Sequence, residues 1–268
     1  MKNDNIKALY KGAIIGGTML VPGVSGGSMA MILGIYNKLI SSVSSFFKDV
    51  KKNLIFLLLF VVGAGIGMLI FAKPLLNLIE NQTLPMMYFF IGAVAGGVPI
   101  IYRSAKVKEM SWKDIVYIVI GLATVLLFAF IPEDIFSGSS TSEKTNLVIQ
   151  VLAGIIAAIA LVLPGISVSY MLLLMGLYDK TVKAISELDI AYLLPMAIGL
   201  LIGIMLITKL LENAMERHPR PTYLTILGFV IGSIVQVFPG LPQDYQRVIC
   251  GVLAIAGYFI INTISAEE

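Results

Sequence analysis

Two short stretches of the chain combine proline, glycine and serine inside sequence that is otherwise apolar. They are Val21-Pro-Gly-Val-Ser-Gly-Gly-Ser28 and Leu163-Pro-Gly-Ile-Ser-Val-Ser169. Proline removes a helical hydrogen bond and glycine lowers helix propensity, so a helix cannot continue undisturbed through either stretch. In lipid, broken backbone is tolerated only where protein or a water-filled cavity surrounds it. Each stretch is therefore either a packing kink or a binding site.

The chemistry that suits these stretches is anion binding. A helix that begins inside the membrane presents free N–H groups and the positive end of its dipole. We expect the first such helix to begin at Ser28. The predicted phosphate-binding residues come from both stretches and are Gly23, Ser25, Gly26, Gly27, Ser28, Gly165, Ser167 and Ser169.

Four further residues complete the predicted site. Pro22 and Pro164 shape the two loops, while Lys38 and Lys180 stand at matching positions further on and are assigned to attract an anionic head group. The alternative is purely structural: Pro-Gly turns a hairpin, the serines satisfy the backbone, and the lysines extend to the membrane interface.

The first stretch also matches two sequence patterns of serine hydrolases, which suggests catalysis as an alternative. Gly23-Val-Ser-Gly-Gly27 fits the G-x-S-x-G elbow of hydrolases and the G-x-S-G of intramembrane serine proteases. A serine nucleophile needs a base within hydrogen-bond reach, and the only histidine, His218, lies in a charged loop. We therefore predict no catalytic residue and no cofactor. The lone Cys250 provides neither a disulfide framework nor a metal cluster.

Composition places both stretches in a membrane protein. Of 268 residues, 58% are hydrophobic and 13% are charged, and mean hydropathy is +0.93; soluble domains carry about 25% charged residues. Continuous apolar runs long enough to cross a bilayer recur along the chain. The predicted fold class is an all-α polytopic membrane protein.

The elements that must position the two stretches form two repeats. Repeat 1 covers 1–135, with a re-entrant hairpin at 12–47 and spans at 54–72, 84–102 and 115–131. An exposed polar linker follows at 136–146. Repeat 2 covers 147–268, with a re-entrant hairpin at 147–185 and spans at 190–207, 223–238 and 248–264.

The evidence for two repeats is a set of identical residues in two registers. At a spacing of 142, Gly12, Pro22, Gly23, Ser25, Gly34, Tyr36 and Lys38 match Gly154, Pro164, Gly165, Ser167, Gly176, Tyr178 and Lys180. At a spacing of 136, Gly67, Lys73, Glu80, Pro85, Gly92 and Gly96 match Gly203, Lys209, Glu216, Pro221, Gly228 and Gly232. Two ordered blocks of matches indicate an internal duplication. Whether Glu80 and Glu216 couple protons to function stays open.

The distribution of basic residues favours hairpins over full crossings. With two hairpins and cytoplasmic N- and C-termini, thirteen Lys/Arg face the cytoplasm and five face outward; with full crossings, eight lie inside and ten outside. The positive-inside rule selects the first arrangement. Each half then holds three spans, an odd number, so the repeats have inverted topology, which is typical of transporters.

Several paired motifs resemble one known family. They are Lys11-Gly12, Val21-Pro-Gly-Val-Ser-Gly-Gly-Ser-Met-Ala30, Gly34-Ile-Tyr36, Leu163-Pro-Gly-Ile-Ser167 and Gly176-Leu-Tyr178. Together they are similar to the bacterial polyprenyl-phosphate transporters, and the resemblance covers essentially the whole chain. It implies a protein of the bacterial cytoplasmic membrane that moves undecaprenyl phosphate from the outer to the cytoplasmic leaflet for reuse in cell-wall synthesis. The chain departs from the family pattern at Val168, where many relatives are expected to have glycine.

We therefore expect a lipid phosphate as the binding partner, the membrane as the surroundings, and no nucleic-acid partner; the oligomeric state is left open. The alternative function is a transporter or channel for a small soluble anion, which would use the same helix ends. An intramembrane serine hydrolase is the third, disfavoured reading.

Overall fold

A computed structural model describes residues 2–21, 24–129, 147–243 and 245–266 of the chain. These residues form twelve α-helices and one 3-10 turn, without a strand among them. In chain order the helices are α1 (Lys2–Thr18), α2 (Gly26–Ile32), α3 (Tyr36–Ser44), α4 (Val50–Asn81), α5 (Thr83–Ser104), α6 (Trp112–Ala129), α7 (Leu147–Val162), α8 (Val168–Leu174), α9 (Tyr178–Glu187), α10 (Ile190–Arg217), α11 (Pro219–Val237) and α12 (Gln246–Ala266).

Four of the described helices have the length and composition of membrane spans. They include Val50–Leu75, Thr83–Ser104, Ile190–Arg217 and Gln246–Ile264, which contain the predicted spans at 54–72, 84–102, 190–207 and 248–264. Large apolar side chains remain exposed on their outer faces, as lipid contact requires; Leu69 is 82% exposed. The chain is therefore an all-α multi-pass membrane protein, as predicted.

Several helix boundaries differ from the predicted ones. α4 ends at Asn81 and α10 at Arg217, beyond the expected ends at 72 and 207, because each helix continues through polar residues at its end. The remaining spans, 115–131 and 223–238, correspond to α6 and α11, although 130 and 131 lie outside the described residues. The predicted linker at 136–146 also lies outside them.

The second arm of the first hairpin, expected as a helix from Ser28 to the end of the hairpin at 47, is broken in the middle. α2 ends before Gly34, which has φ +70°, and α8 ends before Gly176, which has φ +64°. Both breaks carry the same hydrogen bond, from Ile35 N–H to the Ala30 carbonyl and from Leu177 N–H to the Leu172 carbonyl. This pattern is a helix C-terminal motif that favours glycine in the left-handed conformation.

The helix that begins each hairpin runs parallel to the long helix that follows the hairpin. Gly63 of α4 packs on the carbonyl of Leu9, and Gly67 packs on the carbonyl of Ala13, so the contact advances in the same direction along α1 and α4. Small residues allow such close approach of helix backbones in membranes. Between α1 and α4 the chain must therefore return to the end at which α1 begins.

The second half repeats these contacts at the registers read from the sequence. Gly199 packs on the carbonyl of Val151, and Gly203 lies against Ile155, so α7 and α10 are also parallel. Two further helix pairs correspond in the same way. Gly92 of α5 packs on the Ala254 carbonyl of α12, and Gly228 of α11 packs on the Ile118 carbonyl of α6. Each residue of one pair follows from its counterpart in the other pair by adding or subtracting 142 or 136.

Candidate functional site

The two Pro-Gly-containing stretches meet at one hydrogen bond. The N–H of Gly165 donates to Ser25 Oγ at 3.0 Å, joining residues that are 140 positions apart. Ser25 Oγ also accepts from the N–H of Ser28 at 3.1 Å and donates its proton to Ser28 Oγ at 2.9 Å. The predicted convergence of the two loops is thus present, with Ser25 at its centre.

Both motif serines cap short helices. Ser25 has extended backbone (φ −87°, ψ 142°) and precedes α2, while Ser167 (φ −90°, ψ 126°) precedes α8 and accepts from the N–H of Tyr170 at 3.4 Å. Serine favours this position because its oxygen satisfies an N–H group that has no partner within the helix. The expectation that the first helix begins at Ser28 is wrong, because Ser25 already supplies that cap.

Gly27 allows the two hairpins to approach this closely, and Gly165 allows the second hairpin to approach α11. A Cβ on Gly27 would lie 3.3 Å from the backbone of Pro164 and from the carbonyl oxygen of Val162. A Cβ on Gly165 would lie 2.5 Å from the Phe229 carbonyl oxygen of α11, and Gly165 has φ +83°. Gly165 is therefore required by its backbone conformation and by the lack of space.

A cavity of about 560 Å³ opens beside this contact. Among its lining residues, no side chain carries a formal charge. The polar wall comes from the motifs and from two tyrosines: Ser25, Gly26, Gly165, Ser167, Ser169, Tyr170 and Tyr178. The remaining wall is apolar and comprises Met19, Leu20, Val21, Val24, Ala160, Leu161, Ile166, Val168 and Leu173. The cavity is amphipathic, as a ligand with a polar head and an apolar tail requires.

Several predicted site residues lie away from the cavity. Ser28 is buried (2% exposed) beneath Ser25, and Gly27 packs against the second hairpin; neither lines the cavity. Lys38 Nζ lies 5.8 Å from the centre of the Phe56 ring, in a separate small pocket that Asp4 also lines. Lys180 is exposed on α9. Pro22 and Gly23 lie outside the described residues.

Of the paired glutamates, Glu216 lies away from the cavity wall. It is exposed near the end of α10 and lines a groove there with Lys209. Glu80 belongs to α4, and its side chain is outside what the structure describes.

Tyrosines contribute to the site in a way that the residue types alone did not indicate. Tyr178 lines the cavity, whereas its counterpart Tyr36 is buried (3% exposed) and donates its hydroxyl proton to the Val162 carbonyl at 2.8 Å. The available signal was their identical position in the two repeats, Gly34-Ile-Tyr36 and Gly176-Leu-Tyr178.

A second residue that was missed is a buried lysine. Lys11 is 2% exposed, and its Nζ donates to the Leu33 carbonyl at 2.7 Å, at the end of α2. Long amine side chains are costly to bury without such partners. The contact ties α1 to the turn that follows α2.

The described residues that line the cavity offer hydrogen-bond donors and include no histidine, lysine or carboxylate. The Ser25 hydroxyl proton is directed at Ser28 Oγ, so Ser25 has no activating partner in this arrangement. Donors for a ligand come from the hydroxyls of Ser167, Ser169 and Tyr178 and from the first N–H groups of α2 and α8, which cannot bond within their helices. This donor set can bind an anion by neutral hydrogen bonds.

The chain is similar to proteins of known family. A family model described as VCA0040-like, undecaprenyl phosphate translocase-like, matches residues 15–251. A polyprenyl-phosphate transporter of Staphylococcus aureus is 32% identical over 274 residues, covering 97% of each chain. A polyprenyl-phosphate transporter of Vibrio cholerae is 26% identical over 257 residues, covering 89% of this chain and 79% of that one. No solved structure gives a significant match.

Proposed function

The chain belongs to the undecaprenyl phosphate translocase-like family, and we therefore propose that it transports a polyprenyl phosphate across the bacterial cytoplasmic membrane. The observation that carries the proposal is the hydrogen bond between Ser25 Oγ and Gly165 N–H at the wall of an amphipathic cavity. Both motifs contribute to one site there.

The cavity suits the two parts of such a substrate. A phosphate monoester must keep strong hydrogen bonds when it leaves water, since burying an unpaired charge is prohibitively costly. Hydroxyl and peptide donors near Ser167 and Ser169 offset that cost. The apolar wall formed by residues such as Met19, Leu161 and Leu173 accommodates the first isoprene units.

We further propose that the two halves are inverted repeats with re-entrant hairpins. The parallel packing of α1 with α4, and of α7 with α10, supports a returning chain within each half. The excess of basic residues on the predicted cytoplasmic side supports a cytoplasmic N-terminus. In that orientation the Tyr178 side of the cavity faces outward, and Tyr36, which does not line this cavity, lies toward the cytoplasm.

The asymmetry between the two hairpins supports one direction of transport. The cavity extends along the second hairpin to Tyr178, whereas Tyr36 of the first hairpin is bonded to Val162. This corresponds to a state that accepts the head group from the outer leaflet, while the packing at Tyr36 separates the head group from the cytoplasmic side. We therefore propose outer-to-cytoplasmic transfer of undecaprenyl phosphate, which would return the carrier for cell-wall synthesis.

Serine replacements in the two motifs test the proposed function. Ser25→Ala and Ser167→Ala should each lower leaflet transfer of polyprenyl phosphate in reconstituted vesicles by about tenfold. Ser167→Ala removes a hydroxyl donor next to a charged ligand, and Ser25→Ala removes the acceptor that holds the Gly165 and Ser28 N–H groups in place. Ser42→Ala is the control, since Ser42 Oγ is buried in the first hairpin and has no hydrogen-bond partner among the described residues. It should transfer at the wild-type rate.

Two outcomes would contradict the proposal. Equal transfer by the wild type and both motif variants would remove the motifs from the pathway. Wild-type vesicles that move inorganic phosphate but leave polyprenyl phosphate in place would instead indicate a soluble-anion transporter.

The orientation has a direct accessibility test. A cysteine introduced as Ser45→Cys, after α3, should react with a membrane-impermeant maleimide only from the cytoplasmic side, because the first hairpin returns there. Ser139→Cys in the linker should react only from outside. Both variants carry Cys250→Ser, which removes the single native cysteine. Reaction of Ser45→Cys from outside would contradict the hairpin topology.

A further inference from the structure

We propose that a second cavity, next to Arg103, is a binding site for the phosphate head group. It lies on the other side of the Ser25–Gly165 contact from the first cavity. This inference rests on the proposed function, because it assigns a second position to the same ligand. It adds a cationic residue, Arg103, that the motifs do not include.

The second cavity lies at the far end of α2. Its volume is about 370 Å³, and its lining residues are Met31, Gly34, Tyr36, Asn37, Ile100, Arg103 and Ser104. Ser25 and Gly26 at the start of α2 line the first cavity, whereas Met31 near its end lines the second. At 1.5 Å per residue, the seven residues of α2 separate the two cavities by about 10 Å.

The donors in the second cavity differ from those in the first. The Arg103 guanidinium carries a permanent charge, and it forms no ion pair within the described part of the chain. Asn37 lines the same cavity, and its side chain is hydrogen-bonded to Tyr223. Ser104 directs its hydroxyl proton to the Ile100 carbonyl at 3.0 Å. A planar guanidinium is a donor group that recognises phosphate oxygens.

Closed packing separates the two cavities in this state. Every residue from Ser28 to Leu33 is buried, and the Tyr36 hydroxyl is bonded to Val162 of the other half. Passage of a head group therefore requires that Tyr36 leave Val162.

The two cavities use corresponding positions of the repeats. Met31 and Tyr36 line the second cavity, and their counterparts at a spacing of 142, Leu173 and Tyr178, line the first. Two positions in each half therefore face a cavity on their own side of the Ser25–Gly165 contact. The structure thus places a neutral donor site on one side and a cationic site on the other, which a phosphate would occupy in turn.

Ligand protection of a cysteine next to Arg103 tests the site. The reporter is Ser104→Cys in the Cys250→Ser background, reconstituted in vesicles and labelled with a water-soluble maleimide. Farnesyl phosphate should slow labelling by about tenfold, while farnesol should leave it unchanged, because only the phosphate is bound by the guanidinium. Arg103→Gln should remove the protection, and Arg103→Lys should retain part of it.

Two further reporters act as controls. Lys108→Cys lies beyond the same helix end, is exposed and does not line the cavity, so its labelling should not respond to either ligand. Ser169→Cys reports on the first cavity. Protection at Ser169→Cys without protection at Ser104→Cys would overturn the inference and leave the proposed function standing. No protection at either position, together with no lipid transfer by the parent protein, would overturn both this inference and the proposed function. Protection that persists in Arg103→Gln would overturn the role of Arg103.

Discussion

Gly165→Ala is expected to abolish transport and to lower the thermal stability of the protein in detergent. At φ +83° an alanine costs about 1–2 kcal/mol relative to glycine. Its Cβ would also press against the carbonyl oxygen of Phe229, which is backbone in a buried helix and cannot yield at low cost. Relief of that contact would move the Gly165 N–H away from Ser25 Oγ, so the central hydrogen bond between the hairpins would be lost.

Gly240→Ala separates the cost of the positive φ from the cost of the close contact with Phe229. Gly240 also has positive φ (+96°), but a Cβ there would meet no atom within 4 Å. We expect this control to lose about 1 kcal/mol of stability and to keep its transport rate. The measurements are leaflet transfer in vesicles and the melting temperature of each purified variant. If Gly165→Ala and Gly240→Ala lost the same stability and both retained transport, the close contact at Phe229 would not constrain the site.

Gly67→Leu is the substitution with the largest expected effect on stability. A side chain at position 67 would be directed into the carbonyl of Ala13, where α4 and α1 approach most closely. Separating the two helices removes the packing that fixes the start of the first hairpin. Overpacking of this kind costs about 3 kcal/mol, so we expect a lower melting temperature and little folded protein in the membrane.

The matched control lies two residues away on the same helix. Gly65 is exposed, and a Cβ there would meet no atom within 4 Å. Gly65→Leu should change stability by no more than about 0.5 kcal/mol, because it adds apolar surface to a face of α4 that contacts no other helix. Equal melting temperatures for the two variants would contradict the assigned α1–α4 contact.

The sequence predicts more of the architecture than of the contacts. The registers of 142 and 136, read only from identical residues, recur as matching backbone contacts such as Gly67 with Ala13 and Gly203 with Ile155. This works because a glycine at a helix crossing is required by the local approach of two backbones. Duplicated crossings therefore leave duplicated glycines.

Details that depend on side-chain direction were predicted less well. The helix after the first Pro-Gly stretch was expected to begin at Ser28, but α2 begins at Gly26 with Ser25 as its N-cap, and Ser28 is buried. Lys38 was assigned to the head group, but its side chain lies over Phe56 in a separate pocket. A long flexible side chain has several accessible directions, and only the neighbouring helices select one of them. The expectation that Lys38 or Lys180 attracts the head group stays a prediction.

The sequence by itself determined the membrane class and the two loops at which helices break, because composition and Pro-Gly placement act locally; the division into two repeats stays a prediction. Only the tertiary structure decided that Ser25 accepts a hydrogen bond from Gly165, that Tyr178 faces a cavity while Tyr36 is bonded to Val162, and that Arg103 lines a second cavity. These contacts join residues up to 140 positions apart, and no local rule specifies them. They depend on how α2 and α8 are held by the long helices around them, which is a property of the packing as a whole.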